Sequence, residues 1–182
     1  MKTPFAVILF AGACAASTVP AIAAPADTKQ VYTATVDKAG NDYKVDRVRC
    51  NSLTGNPKDV CIAQAKAAQV YTEANAKARY KNTIDATTDG RKAVAEADYD
   101  VEKAKCGSLT GNPRDVCIKE AKANLVAAVA DAKADRKVTE ARADARDDKR
   151  NADYKVEIEK CDAYAGDPKK ACLADVKAQF GK

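Results

Sequence analysis

The chain has 182 residues, 46% of them apolar by count, but 39 of those are alanine, and tryptophan and histidine are absent. Without histidine there is no His-based catalytic triad, no His general base and no His-ligated metal. Basic residues outnumber acidic ones only by 31 to 26; with the two signs interleaved and aromatics scarce, that balance gives little support to nucleic-acid binding.

The first stretch reads as an export signal. Lys2 supplies a positive n-region, residues 5–16 form an apolar h-region, and Ala21-Ile22-Ala23 offers small residues where a signal peptidase reads them. Cleavage is placed after Ala23, because a cut one residue later would leave Pro25 at the first mature position. The expected organisation is a signal peptide at 1–23 and one alanine-rich helical domain at 24–182. A membrane anchor fits less well: Ser17, Thr18 and Pro20 interrupt the apolar run, and spanning needs about 20 apolar residues. A lipoprotein signal at Cys14 would lack its usual leucine, since Ala11-Gly12-Ala13 precedes it. No second hydrophobic segment follows, so the mature protein is expected in the periplasm, with secretion outside the cell as an alternative.

The mature part carries 30 basic and 26 acidic residues, and Leu, Ile, Val and Phe together number only 23. Such scarcity makes disorder a competing reading. Balanced charge and the high helix propensity of alanine favour helix instead.

A first helix is expected over 29–50. It ends in the first of three repeated units, Tyr43 to Lys66, which reads YKVDRVRCNSLTGNPKDVCIAQAK. Tyr43 precedes Cys50 by two helical turns, so the two share a face. In the loop, Gly55 supplies permissive backbone. Asn56 is read as the N-cap, with Pro57 at the first helical position, where a missing N–H costs nothing. A second helix then runs over 57–105. Gly90 is read as a tolerated kink within it, with a break at 86–90 as the alternative.

The second unit, Tyr99 to Lys122, is YDVEKAKCGSLTGNPRDVCIKEAK and matches the first at 15 of 24 positions. Tyr99, Gly111, Asn112 and Pro113 take the same roles. Asp59 and Asp115 fall at the third helical position, near the positive end of the helix dipole. A third helix is expected over 113–160. Its apolar stripe begins with Ile118, Ala121, Leu125, Ala128, Val129 and Ala132. A second run follows at Val138, Ala141, Ala145, Ala152 and Val156, with a lapse around residues 147–150.

The third unit, Tyr154 to Lys177, matches the first at 10 of 24 positions. It keeps Tyr154, Gly166, Asp167 as cap and Pro168, but has Lys170 where the others have Asp, which weakens its cap. A short fourth helix is expected over 168–180.

Cys14 leaves with the signal, and six cysteines remain, each pair separated by ten residues. An even number in an exported chain reads as a disulfide framework. The repeat favours bonding within each unit: Cys50–Cys61, Cys106–Cys117 and Cys161–Cys172. A redox or metal-binding role fits poorly, because the spacing has no CxxC character. The expected fold is all-α: elongated antiparallel helical hairpins or a bundle, with three disulfide-stapled helix-turn-helix units.

The signature Cys-x-x-Leu-x-Gly-Asn-Pro-Lys/Arg-Asp-Val-Cys, followed by Ala-Lys-Ala, resembles a group of alanine- and lysine-rich exported proteins of Gram-negative bacteria. These carry one or more Cys-x10-Cys units, and some are labelled TolA-like or cell-envelope biogenesis. The resemblance covers the three units, and the third departs from it at Tyr164, Ala165, Asp167 and Lys170. It implies no catalytic residue and no cofactor. No P-loop, GxSxG or HExxH motif occurs, and the turn is too short and too poor in carboxylates for a calcium loop. The expected function is non-enzymatic: an envelope structural, scaffold or stress-related protein whose partner is a protein or envelope component. The alternatives are a periplasmic chaperone or holdase, and a thiol redox or metal-handling protein.

Overall fold

A computed structural model describes residues 28–182; the signal peptide expected at 1–23, its expected cleavage site and Cys14 lie outside the described residues. The described chain is all-helical: α1 (Lys29–Cys50), α2 (Gly55–Lys81), α3 (Ile84–Lys105), α4 (Gly111–Cys161) and α5 (Gly166–Phe180), with one 3-10 turn at Cys106–Ser108. Three disulfides join Cys50 to Cys61, Cys106 to Cys117 and Cys161 to Cys172.

There are five α-helices where the sequence suggests four. The stretch expected as one helix over 57–105 is a hairpin that breaks at Asn82-Thr83, and Gly90 lies inside α3. The break has a local cause. Asn82 takes left-handed backbone (φ 47°) and donates its N–H to Ala78 O at 2.8 Å. Asparagine is among the few residues other than glycine that adopt this conformation readily. Thr83 then caps α3, its hydroxyl accepting from Ala86 N at 3.1 Å. One repeat later α4 carries Val138-Thr139. A β-branched residue resists left-handed backbone, so α4 runs on without a turn.

Each helix packs appreciably only on its neighbours in sequence, most extensively α2 on α3, then α1 on α2 and α3 on α4. The first four helices therefore form one antiparallel layer rather than a closed bundle. Its interior is built from small side chains. Among the described residues, α5 included, the buried apolar ones are eight alanines, two valines and the cysteines Cys50, Cys106 and Cys161. The buried Thr88 satisfies its hydroxyl on Ile84 O at 2.8 Å. Tyr32 and Tyr80 stack with ring centroids 4.9 Å apart and close the far end of the α1–α2 hairpin.

At Gly90 the α2 and α3 backbones come close: a Cβ there would stand 3.3 Å from Ala74 O and 3.4 Å from Ala74 Cβ. The residue read as a kink is thus a contact point between helices.

The α4 helix is 51 residues long, about 77 Å at 1.5 Å per residue. The 22 residues of α3 cover only its first half. Two ion pairs mark where that cover ends, Arg91 to Asp135 and Arg136 to Asp85. Hydrogen bonding to Glu140, then the Asp85 and Glu140 charges, hold the Arg136 guanidinium above its ordinary pKa. Beyond this point every residue from 141 to 153 except Ala143 is exposed. The C-terminal part of α4 then pairs with α5 in the third hairpin. Tyr154 meets Phe180 edge-on at 5.5 Å, and Arg150 donates to Phe180 O at 2.7 Å.

Two glycines inside helices should respond oppositely to substitution. Gly40→Ala places its Cβ 3.9 Å from the Gln69 amide and clear of other atoms, so it should raise stability by about 0.5–1 kcal/mol from helix propensity. Gly90→Leu must force α2 and α3 apart and should cost about 1–3 kcal/mol. Urea unfolding followed by circular dichroism measures both.

Candidate functional site

No catalytic constellation emerges among the described residues, and no three His, Cys, Asp or Glu side chains gather there to hold a metal ion. The recurring chemistry is the stapled turn, present three times in one geometry. The paired cysteine Cα atoms stand 5.6, 5.8 and 5.7 Å apart, well inside the range a disulfide can bridge. The first cysteine of each pair has no exposed surface, and its partner on the returning helix is half-buried.

Each turn is closed by the same backbone bond. Leu53, Leu109 and Tyr164 donate their N–H groups to the carbonyls of Cys50, Cys106 and Cys161, all at 3.1 Å. Gly55, Gly111 and Gly166 follow with φ of 60°, 62° and 65°. A Cβ at any of them would meet nothing within 4 Å, so glycine serves the backbone conformation there rather than space. In the first two turns a serine also ties back: Ser52 Oγ donates to Arg49 O at 2.8 Å and Ser108 Oγ to Lys105 O at 3.0 Å. These serines recur at one repeat position, a signal that a search for helix starts passes over. The third unit has Ala163 there.

The caps differ from the sequence expectation. The returning helices begin at the left-handed glycine, so the cap positions are Thr54, Thr110 and Ala165, in extended backbone and without side-chain cap bonds. Asn56, Asn112 and Asp167 therefore sit one turn position inside the helix and do not cap it. Pro57, Pro113 and Pro168 lie at its third residue, still among the N–H groups that have no helical acceptor. Asp59 and Asp115 fall beyond the first turn. Asp167 pairs with Lys170 at 2.9 Å.

Asn56 does something else. Its side-chain amide donates to Ala104 O of α3 at 2.6 Å, tying the first hairpin to the second. Gly107 makes room for it, since a Cβ there would fall 2.5 Å from Asn56 Nδ2. Asn112 stands at the equivalent place on α4 and is exposed.

The three tyrosines pack across their own hairpins. Lys66 lies 5.5 Å from the Tyr43 ring centre and Lys122 lies 5.3 Å from that of Tyr99, at matching repeat positions. The Tyr154 ring takes Phe180 and Lys182 instead. The first two turns lie at one end of the layer, because α2 and α3 run away from and back to it. The third lies at the far end of α4. At the tips Leu53, Leu109 and Tyr164 are exposed at 39%, 39% and 55%.

The two asparagines should separate on mutation. Asn56→Ala removes a part-buried bond between hairpins and should cost about 1 kcal/mol. Asn112→Ala should change stability by no more than about 0.5 kcal/mol, as surface substitutions do. Equal losses in thermal or urea unfolding would restore the capping role to both.

Comparison of the chain with protein-family models, with curated proteins and with solved structures gave no match in any of the three.

Proposed function

We propose that this is a non-enzymatic periplasmic protein that acts as a spacer or scaffold in the cell envelope. The observation that carries the reading is the separation of its repeated turns by one unbroken helix. Cys117 and Cys161 lie on the same α4, so the second and third turns stand roughly 65 Å apart. The chain thus presents the same stapled element, each with an exposed apolar tip, at two ends of a stiff connection. Among the described residues no helix is long and apolar enough to cross a membrane. Three disulfides fit an oxidising compartment.

A thiol-exchange role is less well supported. Attack on a disulfide needs access to sulfur, and with Cys50, Cys106 and Cys161 fully buried it could reach only the half-buried Cys61, Cys117 and Cys172. A holdase role has one observation in its favour, the exposed Leu53, Leu109 and Tyr164. Suppression of aggregation of a denatured client by the intact protein tests it, and no effect at molar excess removes it.

Length is the property that distinguishes a spacer. Duplicating residues 141–151 inserts three helical turns, about 16 Å, while keeping both ends in phase. The longer chain should keep all six cysteines blocked to alkylation and unfold at an unchanged temperature. In periplasm, site-specific cross-links from position 53 and position 164 to their envelope neighbours should no longer form in the same molecule. If both cross-links persist with equal yield, spacing is not its role.

A further inference from the structure

The second apolar run read from the sequence of α4 is exposed, with no partner among the described residues. Ala121 and Ala132 of the first run are buried against α3. The other side of the helix carries a separate row, beginning at Val116, continuing through alanines, passing Val138 and ending at Val156, and every member is exposed. The three valines stand 44%, 47% and 54% exposed.

This row has an internal precedent. Shifted by one repeat, Val116, Ala123, Ala130 and Ala134 correspond to Val60, Ala67, Ala74 and Ala78 of α2. On α2 those residues are half-buried, and Ala74 makes the close contact with antiparallel α3 at Gly90. The face is therefore one that, in the first repeat, receives an antiparallel helix at short range. In the second repeat no further helix among the described residues covers it.

The ends and the centre of the row are also symmetric end for end. Taken about residue 136, the midpoint of α4, Val116 stands opposite Val156, Ala127 opposite Ala145 and Ala134 opposite Val138, while Ala130 and Ala141 are one residue out of that register. A helix with such a row is complementary to a reversed copy of itself, which is the requirement of an isologous two-fold contact.

We propose that two copies of this chain pair antiparallel through the outer faces of their α4 helices, on a two-fold axis near residue 136. The contact runs over residues 116–156, roughly 60 Å. It places the first half of the partner's α4 along residues 141–153, of which all but Ala143 are exposed in the single chain. It also continues the layer, placing the two sets of four helices on opposite sides of the axis. On one flank Asp131 of each copy comes beside Arg142 of the other. On the other flank Lys137 approaches its own counterpart, a repulsion that limits affinity. A head-to-tail alternative, α4 against α1 of a second copy, is less complementary. Where α3 presents Ala93, Val94 and Ala97 towards α2, the matching positions of α1 are Asp37, Lys38 and Asn41.

Sedimentation equilibrium of the mature chain over a concentration series tests the pairing, with circular dichroism confirming unchanged helicity in each variant. The wild type should fit a monomer–dimer equilibrium. Ala130→Glu and, independently, Ala141→Glu should each weaken association roughly tenfold or more. Lys137→Gln should tighten it, and Val48→Glu on the free side of α1 should leave it unchanged. A wild type that stays monomeric at its highest soluble concentration overturns the proposal. So does a dimer that survives both glutamate variants, or one that Val48→Glu dissociates.

Discussion

The fold depends on cross-linking a chain that has little to bury. Eight of the buried apolar residues are alanine, and each removes only a small apolar area from water. A disulfide closing an eleven-residue separation restricts the unfolded chain by about 3 kcal/mol in the chain-entropy model. That is a substantial fraction of the 5–15 kcal/mol typical of a whole domain. The covalent bond also fixes geometry. It holds two helices at the one place where a hairpin otherwise frays, and the tyrosine two turns back then meets the returning helix.

Once each hairpin is closed locally, the layer follows from how hairpins meet. Alanine and glycine at the α2–α3 seam let the backbones approach, and the seam gains specificity from a single polar tie, Asn56 to Ala104 O. This tie needs an asparagine in one repeat and a glycine, Gly107, in the next. The first unit has Asn51 at the place of Gly107, so duplication did not leave the units interchangeable. One sequence pattern performs different work depending on which neighbour it meets.

The staples, the turns and the antiparallel hairpins were legible because each rests on local chemistry repeated in one chain. Equal cysteine spacing, a tyrosine seven residues earlier and a Gly-Asn-Pro or Gly-Asp-Pro corner need no tertiary information. The sequence does not mark the Asn82-Thr83 break, which carries neither glycine nor proline, while Gly90, seven residues on, reads as the flexible residue. Its actual role, a close approach to Ala74, depends on a neighbouring helix that sequence spacing cannot place. The caps erred for a related reason. Asn-Pro reads as cap and first helical residue, but left-handed glycine starts the helix earlier and frees the asparagine for a distant carbonyl.

The long α4 shows how far local propensity and tertiary support can be separated. Over residues 141–153 the helix has almost no neighbour, and its charges do not compensate. Arg142, Arg146 and Arg150 follow one another at intervals of four, as do Asp144 and Asp148. Like charges at that spacing oppose an isolated helix by a few tenths of a kcal/mol per pair. What continues the helix through this stretch is the absence of any breaker, alanine propensity and the packed hairpins at both ends, which remove the cost of nucleation. A surface helix usually carries one apolar face towards its core, yet α4 carries two, on opposite sides. The face towards α3 and α5 explains why the helix folds into this chain. The opposite face contributes nothing to that fold, and exposing a row of valines and alanines to water is unfavourable without a counterpart. Its register, centred on the middle of the helix rather than on the packed half, is the register a second α4 would require.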